Sequence, residues 1–405
     1  MRKYEILMFN MSNWSEWEKG VTNRNYQIFA RLSQDKRVGR IIAVDYLPFS
    51  LKRSIKNYIT DFLFPLAKGK RIVYRDSTTL CRVIKNQNPQ IYHFSTIDSW
   101  LNPEKVNKKL EKILKIVSPS PMDRIIWSYL PTNICYFKIK NNLTVFDAVD
   151  NWLFHSSYRK RRKELLSNYK KIAKNTDIIF AITETLGDFF KSLGRKKGTF
   201  IVSNGVDYNH FQKKNIVFDE KFWAIPRPII GYIGVIGDRI DFDLLEYLAK
   251  NNPQKSFVLI GPCWPKYFRR IRSSFKDIKR LKKMSNVYFL GPRPYKDSPF
   301  YIRHFDVGII PHKFSPFIQY TSSLKLLEYL ACGLPVVSTP VSGAKKFKNI
   351  LYLASDYPRF SKMINLALKE DSSRLHHLRQ KAAEKEDWKY KAEEMMKIIE
   401  KKIKT

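Results

Sequence analysis

Short apolar runs alternate with stretches of helical spacing along most of this chain. In the first half the runs are EILMF (5–9), RIIAVDYL (40–47), IYHFS (91–95), LTVFDAVD (143–150), DIIFAIT (177–183) and TFIVSNG (199–205), with a helix predicted near Asn25 to Leu32. That alternation predicts an open, mostly parallel α/β sheet. A polar stretch from Asn209 to Pro228, ending in PRP (226–228), interrupts it. The same grammar then resumes with PIIGYIGVIG (228–237), a helix through Leu244 to Ala249, SFVLIGP (256–262), NVYFLGP (286–292), VGII (307–310) and PVVST (335–339). A chain of 405 residues is long for one core, so two domains are predicted, 1–208 and 209–385. Residues 386–405 read as a C-terminal helix that packs back on the first domain. Two such domains would leave a cleft between their strand ends, a place where substrates are held.

One segment, SSLKLLEYLACGLPVVST (322–339), carries chemistry as well as structure. Ser322 or Ser323 suits a helix cap, Leu324, Leu327 and Leu330 form an apolar stripe, and Gly333 stands where helices stop. With the VGII run before it and PVVST after it, the whole reads as a crossover unit of a parallel sheet, and ligands bind at such strand ends. Lys325 is the anomaly, because a cation in the first helical turn faces the positive end of the helix dipole. A diphosphate resting on the backbone N–H groups of Ser322 to Leu324 would resolve it. Glu328, three residues on and on the same face, suits the two hydroxyls of a ribose. The same spacing also fits a solvated surface ion pair.

Composition narrows the picture. With 44% hydrophobic and 14% aromatic residues the chain is globular. Cys81, Cys135, Cys263 and Cys332 show no C-x-x-C spacing, which argues against zinc, a redox dithiol or a disulfide framework and fits a reducing cytosol. The opening MRKYEILMFNMSNW has too short an apolar run for a signal peptide, and no run approaches the length of a membrane span. A net charge of +37 calls for an anionic partner, a membrane surface, or a lysine-rich compositional bias. The excess concentrates in YRKRRKELLSNYKKIAKN (158–175) and FRRIRSSFKDIKRLKKM (268–284), either of which suits an anionic lipid surface. No nucleic-acid-binding motif accompanies the charge. The expected location is therefore cytoplasmic, peripheral on the inner face of the cell membrane.

Several motifs, in order, resemble the retaining, family-4 type glycosyltransferases of the GT-B fold. TDIIFAITETLGDFF is similar to the family's strand and helix before the linker, IVSNGVDYNHF to its hinge signature, NVYFLGPRPYKDSPFYI to its base-side loop and LKLLEYLACGLPVV to its nucleotide-sugar helix. VFDAVDNW and IGYIGVIGDRIDFDLL resemble the subgroup that makes cell-surface polysaccharides, including teichuronic acid glycosyltransferases. The resemblance implies two Rossmann-like domains facing each other across a cleft. It implies transfer of a sugar from a nucleotide diphosphate sugar, a UDP-sugar by preference, to a saccharide or lipid-linked acceptor, with retained anomeric configuration. No cofactor or metal ion is implied.

The resemblance also distributes roles. Gly234 would let backbone approach the diphosphate and Arg239 would neutralise it. Gly261 ends another strand on the same side, and Arg293 would sit near the base. Tyr320 occupies the position where the family carries a glutamate that contacts the sugar, so the donor sugar's hydroxyls must be held differently. Asp147 and Asp150 follow a first-half strand and should stand at the cleft edge as catalytic-site residues, unless they cap the turn that DAVDNW opens. His93 also follows a strand, where a lone histidine is more often structural. The DFD of 241–243 spells a metal motif, but at a helix start it reads as a cap. Asn204 and Gly205 shape the hinge, and Trp388 packs against another element. The rival readings are a nucleotide-sugar epimerase of the same fold and a non-catalytic basic protein that binds an anionic polymer.

Overall fold

The computed structural model describes residues 3–45, 71–86, 88–98, 103–118, 122–132, 134–214, 216–263 and 272–404. The end of RIIAVDYL and the start of the second basic stretch lie outside the described residues. The chain divides into two compact units, residues 1–202 with 392–405, and residues 203–391.

In the first unit the strands are β1 (Tyr4–Phe9), β2 (Val38–Val44), β3 (Ile72–Arg75), β4 (Thr79–Lys85), β5 (Gln90–Thr96), β6 (Asp123–Ser128), β7 (Leu143–Ala148), β8 (Ile178–Ala181) and β9 (Thr199–Ile201). They form one sheet in the order β3-β4-β5-β2-β1-β6-β7-β8-β9. The pairings from β5 to β9 are parallel. β3 and β4 add an antiparallel edge, turned by Asp76, whose carboxylate accepts from the Thr78 and Thr79 N–H groups at 2.9 and 2.8 Å. The strands on both sides of the centre are buried over most of their length, which is why they read as continuous apolar runs.

The second unit holds β10 (Ile229–Ile233), β11 (Ser256–Ile260), β12 (Val287–Gly291), β13 (Val307–Ile310), β14 (Val336–Ser338) and β15 (Tyr352–Leu353). All are parallel, in the order β12-β11-β10-β13-β14-β15. The chain runs outward from β10 to β12, then returns to lay β13 on the other side of β10. The carboxyl ends of β10 and β13 therefore flank a topological switch point, the crevice where open α/β sheets hold ligands.

The units divide at 202/203, not at 208/209, because Val206 and Phe211 bury in the core of the second unit. Val206 pairs there with Asp387, and Trp388, nearly fully buried, donates its N–H to the Val206 carbonyl at 3.1 Å. Gly205 is required beneath it, since a Cβ would stand 2.9 Å from the indole. The last helix, Trp388–Lys404, continues into the first unit, where Met395, Met396 and Ile399 are buried and Glu393 and Glu400 pair with Arg37 at 2.6 and 3.3 Å.

The basic stretch of 158–175 folds as the helix Arg162–Asn175, whose apolar face (Leu165, Tyr169, Ile172, Ala173) is buried in the first unit. That face is taken up by the core and is not free to insert into lipid; the opposite side exposes Lys163, Lys170, Lys171 and Lys174 together with Glu164 and Leu166. Among the described residues no helix is long and apolar enough to cross a membrane. Cys81, Cys263 and Cys332 are free thiols, and the side chain of Cys135 lies outside the described residues.

Candidate functional site

The helix Leu324–Ala331 is fixed at the switch point by its apolar face. Leu326, Leu327, Tyr329, Leu330 and Ala331 are buried, each large side chain contributing about 1.5–3 kcal/mol on leaving water. The Tyr329 hydroxyl accepts the Ile233 N–H at 3.0 Å, tying the helix to the end of β10, and Gly308 on β13 leaves room for the ring. Gly333, at φ +75°, ends the helix with a conformation few other residues adopt.

The start of the helix is open. Ser323 is the N-cap residue but its side chain makes no capping hydrogen bond, and its Oγ is buried without a partner, so neither expected serine cap forms. The first-turn N–H groups of Leu324 to Leu326 have no intrahelical acceptor. The preceding turn is held from its other side, where Asn204 Nδ2 donates to the Ser322 carbonyl at 3.0 Å.

Lys325 extends from this turn over the end of β10. Its Nζ lies 5.7 Å from the Tyr232 ring centroid, and a Cβ on Gly234 would stand 1.9 Å from its Cε. Gly234 has φ +149° and so leaves the space the lysine stem occupies. Gly261, at φ +142°, is equally constrained, because its Cβ would meet the Gly234 carbonyl at 1.9 Å. The two glycines bring adjacent strand ends into backbone contact beside the ammonium. Lys325 makes no ion pair among the described residues, so the surface pair with Glu328 does not form. Glu328 is half-buried, and burial pushes its carboxyl upward against the opposing pull of Lys325.

Two further groups enter from the loops after β10 and β13. Ile240 bridges His312, and the Lys313 N–H donates to the Arg239 carbonyl at 2.8 Å, so the loops are zipped together. The Arg239 guanidinium lies over the Phe317 ring at 4.8 Å. His312 is buried and its Nδ1 has no hydrogen-bond partner. Burial, then the charges of Lys325 and Arg239, hold its imidazole down at about 3. The sequence reading missed this residue, since a histidine between Pro311 and Lys313 reads as ordinary loop.

The other expected site residues are placed differently. Arg293 is committed to Asp219 at 2.8 Å, to the Tyr301 hydroxyl at 3.0 Å and to the Leu290 carbonyl at 2.6 Å, a network that lines a shallow depression with Val217 and Phe218. Tyr320 ends the short helix Pro316–Gln319, its N–H bonded to the Phe317 carbonyl. Asp241 caps the helix Phe242–Asn251 through the Leu244 N–H at 3.1 Å, and Asp243 pairs with Arg280 at 2.5 Å.

In the first unit Asp147 is fully buried and receives Arg24 Nε on both oxygens, at 2.9 and 3.1 Å. Burial raises its carboxyl while Arg24, Trp127 and Tyr129 pull it down. It is a core ion pair within its unit and does not stand at an exposed edge. Asp150 is half-buried, with its carbonyl accepting the Tyr169 hydroxyl at 3.3 Å. The cap in DAVDNW comes from Asn151, which accepts the Leu153 N–H. His93 is buried between Arg82, which donates to its Nδ1 at 3.0 Å, and Asp45, 3.0 Å from its Nε2.

Residues 227–369 match the family model described as glycosyl transferases group 1. Over 268 residues the chain is 28% identical to TuaH of Bacillus subtilis (strain 168), a protein assigned by inference as a teichuronic acid biosynthesis glycosyltransferase. That match covers 62% of this chain and 66% of the relative, just under two thirds of its length. Among solved structures the chain is similar to HepE of Anabaena in complex with UDP-glucose, with TM-score 0.63, 14% identity, and 98% and 99% of the two chains covered. It is also similar to sucrose-phosphate synthase from Thermosynechococcus elongatus, with TM-score 0.67, 15% identity and 99% of each chain covered. These likenesses carry the fold, which is GT-B with its two α/β units.

Proposed function

We propose that this chain, in which residues 227–369 are a glycosyl transferases group 1 domain on a GT-B fold, transfers a sugar from a nucleotide diphosphate sugar to a hydroxyl of a saccharide or lipid-linked acceptor in cell-surface polysaccharide synthesis. The observation that carries this reading is the Lys325 ammonium, laid over Gly234 at an uncapped helix start, in no ion pair among the described residues and with only the more distant pull of Glu328 to offset it. A diphosphate supplies the missing charge. The complex of HepE with UDP-glucose supports a UDP-sugar donor, and the likeness to TuaH supports the polysaccharide role.

Charge grows on the leaving β-phosphate as the glycosidic bond breaks. The first-turn N–H groups after Ser322 and Ser323, with Lys325 and Arg239, are preorganised to stabilise it, a contribution of about 3 kcal/mol per well-placed donor in comparable sites. Gly234 and Gly261 admit the diphosphate to the backbone, and Glu328 accepts the ribose hydroxyls. Tyr320 replaces a sugar-contacting carboxylate and makes donor choice a property of this segment. Protein groups carry the charge compensation, so activity is expected to survive chelation of divalent ions. The proposed transfer keeps the anomeric configuration, as the resemblance of the sequence motifs implies. Exposed Lys163, Lys170, Lys171 and Lys174 support a peripheral, purely electrostatic attachment to the anionic inner face of the cell membrane.

Incubation of the protein with UDP-glucose, GDP-mannose and ADP-glucose and lipid or saccharide extracts tests the reading. Sugar transfer, or slow release of the nucleoside diphosphate, is expected with at least one donor and is expected to be lost in Lys325→Ala. Absence of both with every donor contradicts it.

A further inference from the structure

His312 has no role in the account so far, yet its surroundings are unusual. The ring is buried two residues beyond β13, at the carboxyl end of the strand that flanks the switch point. Its Nδ1 is a buried polar nitrogen without a partner, which is costly unless a ligand or water supplies one. Ser323 Oγ, at the open start of the Leu324–Ala331 helix in the same unit, is also buried without a partner.

The charged groups around His312 are lopsided. Lys325 from the helix and Arg239 from the loop after β10 both act on the ring, and Lys313 follows it directly with its ammonium 6.0 Å from the Phe242 ring centroid. Asp238, beside Arg239 on the same loop, is not among the charges acting on the ring. Asp241, whose N–H bonds the Pro311 carbonyl, gives its oxygens to the Leu244 N–H and the Tyr357 hydroxyl. Glu328 interacts with Lys325 and is not among the charges acting on the imidazole. No carboxylate is among the charges acting on the ring. Once an anion arrives beside Lys325, the positive charge that repels a proton from His312 is offset, and an oxygen becomes available to accept from Nδ1.

We infer that His312 is a ligand of the donor's diphosphate and takes up a proton from solvent as the donor binds, so that donor affinity rises as the pH falls below neutrality. The inference rests on the nucleotide-sugar reading of this site. No bond of the donor is made or broken in this step. The proton passes from solvent to Nδ1, and the imidazolium donates to a phosphate oxygen. In the ligand-free protein the ring is neutral over the whole physiological range.

UDP-glucose, GDP-mannose and ADP-glucose are suitable probes, because a diphosphate diester does not itself titrate between about pH 5.5 and 8.5. Calorimetry of each in buffers of different ionisation enthalpy reads the protons taken up per donor bound. For the donor that binds, uptake is expected to grow toward about one proton as the pH falls to about 5.5, with affinity rising by at most about tenfold per pH unit. In His312→Gln, uptake should vanish. Affinity should drop about tenfold or more at the acidic end and stay within about twofold of the wild type at about pH 8.5. Donor binding without proton uptake, or uptake that persists in a folded His312→Gln, overturns the inference and leaves the donor reading standing. Failure of all three donors to bind overturns both. The wild-type proton count decides the matter even where the variant does not fold.

Discussion

The two sheets end in opposite ways. In the core of the first unit, Asp147 near the end of β7 meets Arg24, and both side chains are almost wholly shielded from water. At the switch point of the second unit, Lys325 and Arg239 stand near a buried neutral His312, and Lys325 has no ion pair among the described residues. The first pair satisfies its own charge and serves the fold. Lys325 in the second group is left to take charge from outside, which is what a binding site offers. A buried ion pair is costly to break from one side, because the remaining charge is stranded. A cation already tolerated without a partner can be removed at little cost to stability. Stability and binding should therefore respond to substitution in opposite senses in the two units.

The largest effect is expected in the first unit. Asp147→Ala should lower the unfolding free energy by about 3–5 kcal/mol, read as a shift of the urea midpoint, by removing the carboxylate that faces the buried Arg24 guanidinium. An unchanged midpoint would break the contrast at once. In the second unit, Gly234→Ala should push the Lys325 stem aside and weaken nucleotide-sugar binding by about 1.5–3 kcal/mol, measured by calorimetry. Retained affinity would mean that the lysine does not need that path.

Acid stability sharpens the same comparison. His312 has an ordinary value of 6.5 when unfolded and about 3 when folded. The unfolded chain therefore takes up a proton that the folded one refuses, and the stability that neutral His312 provides above about pH 6.5 is lost progressively as the pH falls from there toward 3. At about pH 5 this loss amounts to about 2 kcal/mol relative to neutral pH. Urea titrations of the ligand-free protein at about pH 5 and 7.5 should show that loss in the wild type and a smaller one in His312→Gln. Equal losses would remove His312 as the titrating group. The smallest effect separates two helix starts. Asp241→Ala should cost about 1 kcal/mol, because Asp241 caps its helix, whereas Ser323→Ala should change thermal stability by less than about 0.5 kcal/mol. A full capping cost at Ser323 would contradict the open helix start.

Much of this was legible in the sequence, for stated reasons. Strands buried on both faces announce themselves as apolar runs, so β1, β2, β7 and the strands of the second unit up to β14 were readable. The edge hairpin β3–β4 was not, because an edge strand carries charge such as Arg75, Arg82 and Lys85 and lacks a continuous run. β6 opens with Asp123 and Arg124, which masked the IIW that follows. Lys325 was readable as an anomaly because helix direction gives a charge a sign, whereas the role of Gly234 came from the family resemblance. The Arg24–Asp147 pair joins residues 123 positions apart, and no local pattern encodes such a partner. For the same reason Asp147 looked available when it is not. His312 was invisible, since burial and the lack of a partner are properties of packing, and Ser323 looked like a cap because composition cannot reveal where a hydroxyl points.

The central claim is that the open start of the Leu324–Ala331 helix, with Lys325 above Gly234, is the diphosphate site. Calorimetric titration of the nucleotide sugar that binds the wild type into Lys325→Ala tests it most directly. The account predicts an affinity loss of about 2 kcal/mol, about thirtyfold, with an unchanged melting temperature. Unchanged affinity in a folded variant would contradict it.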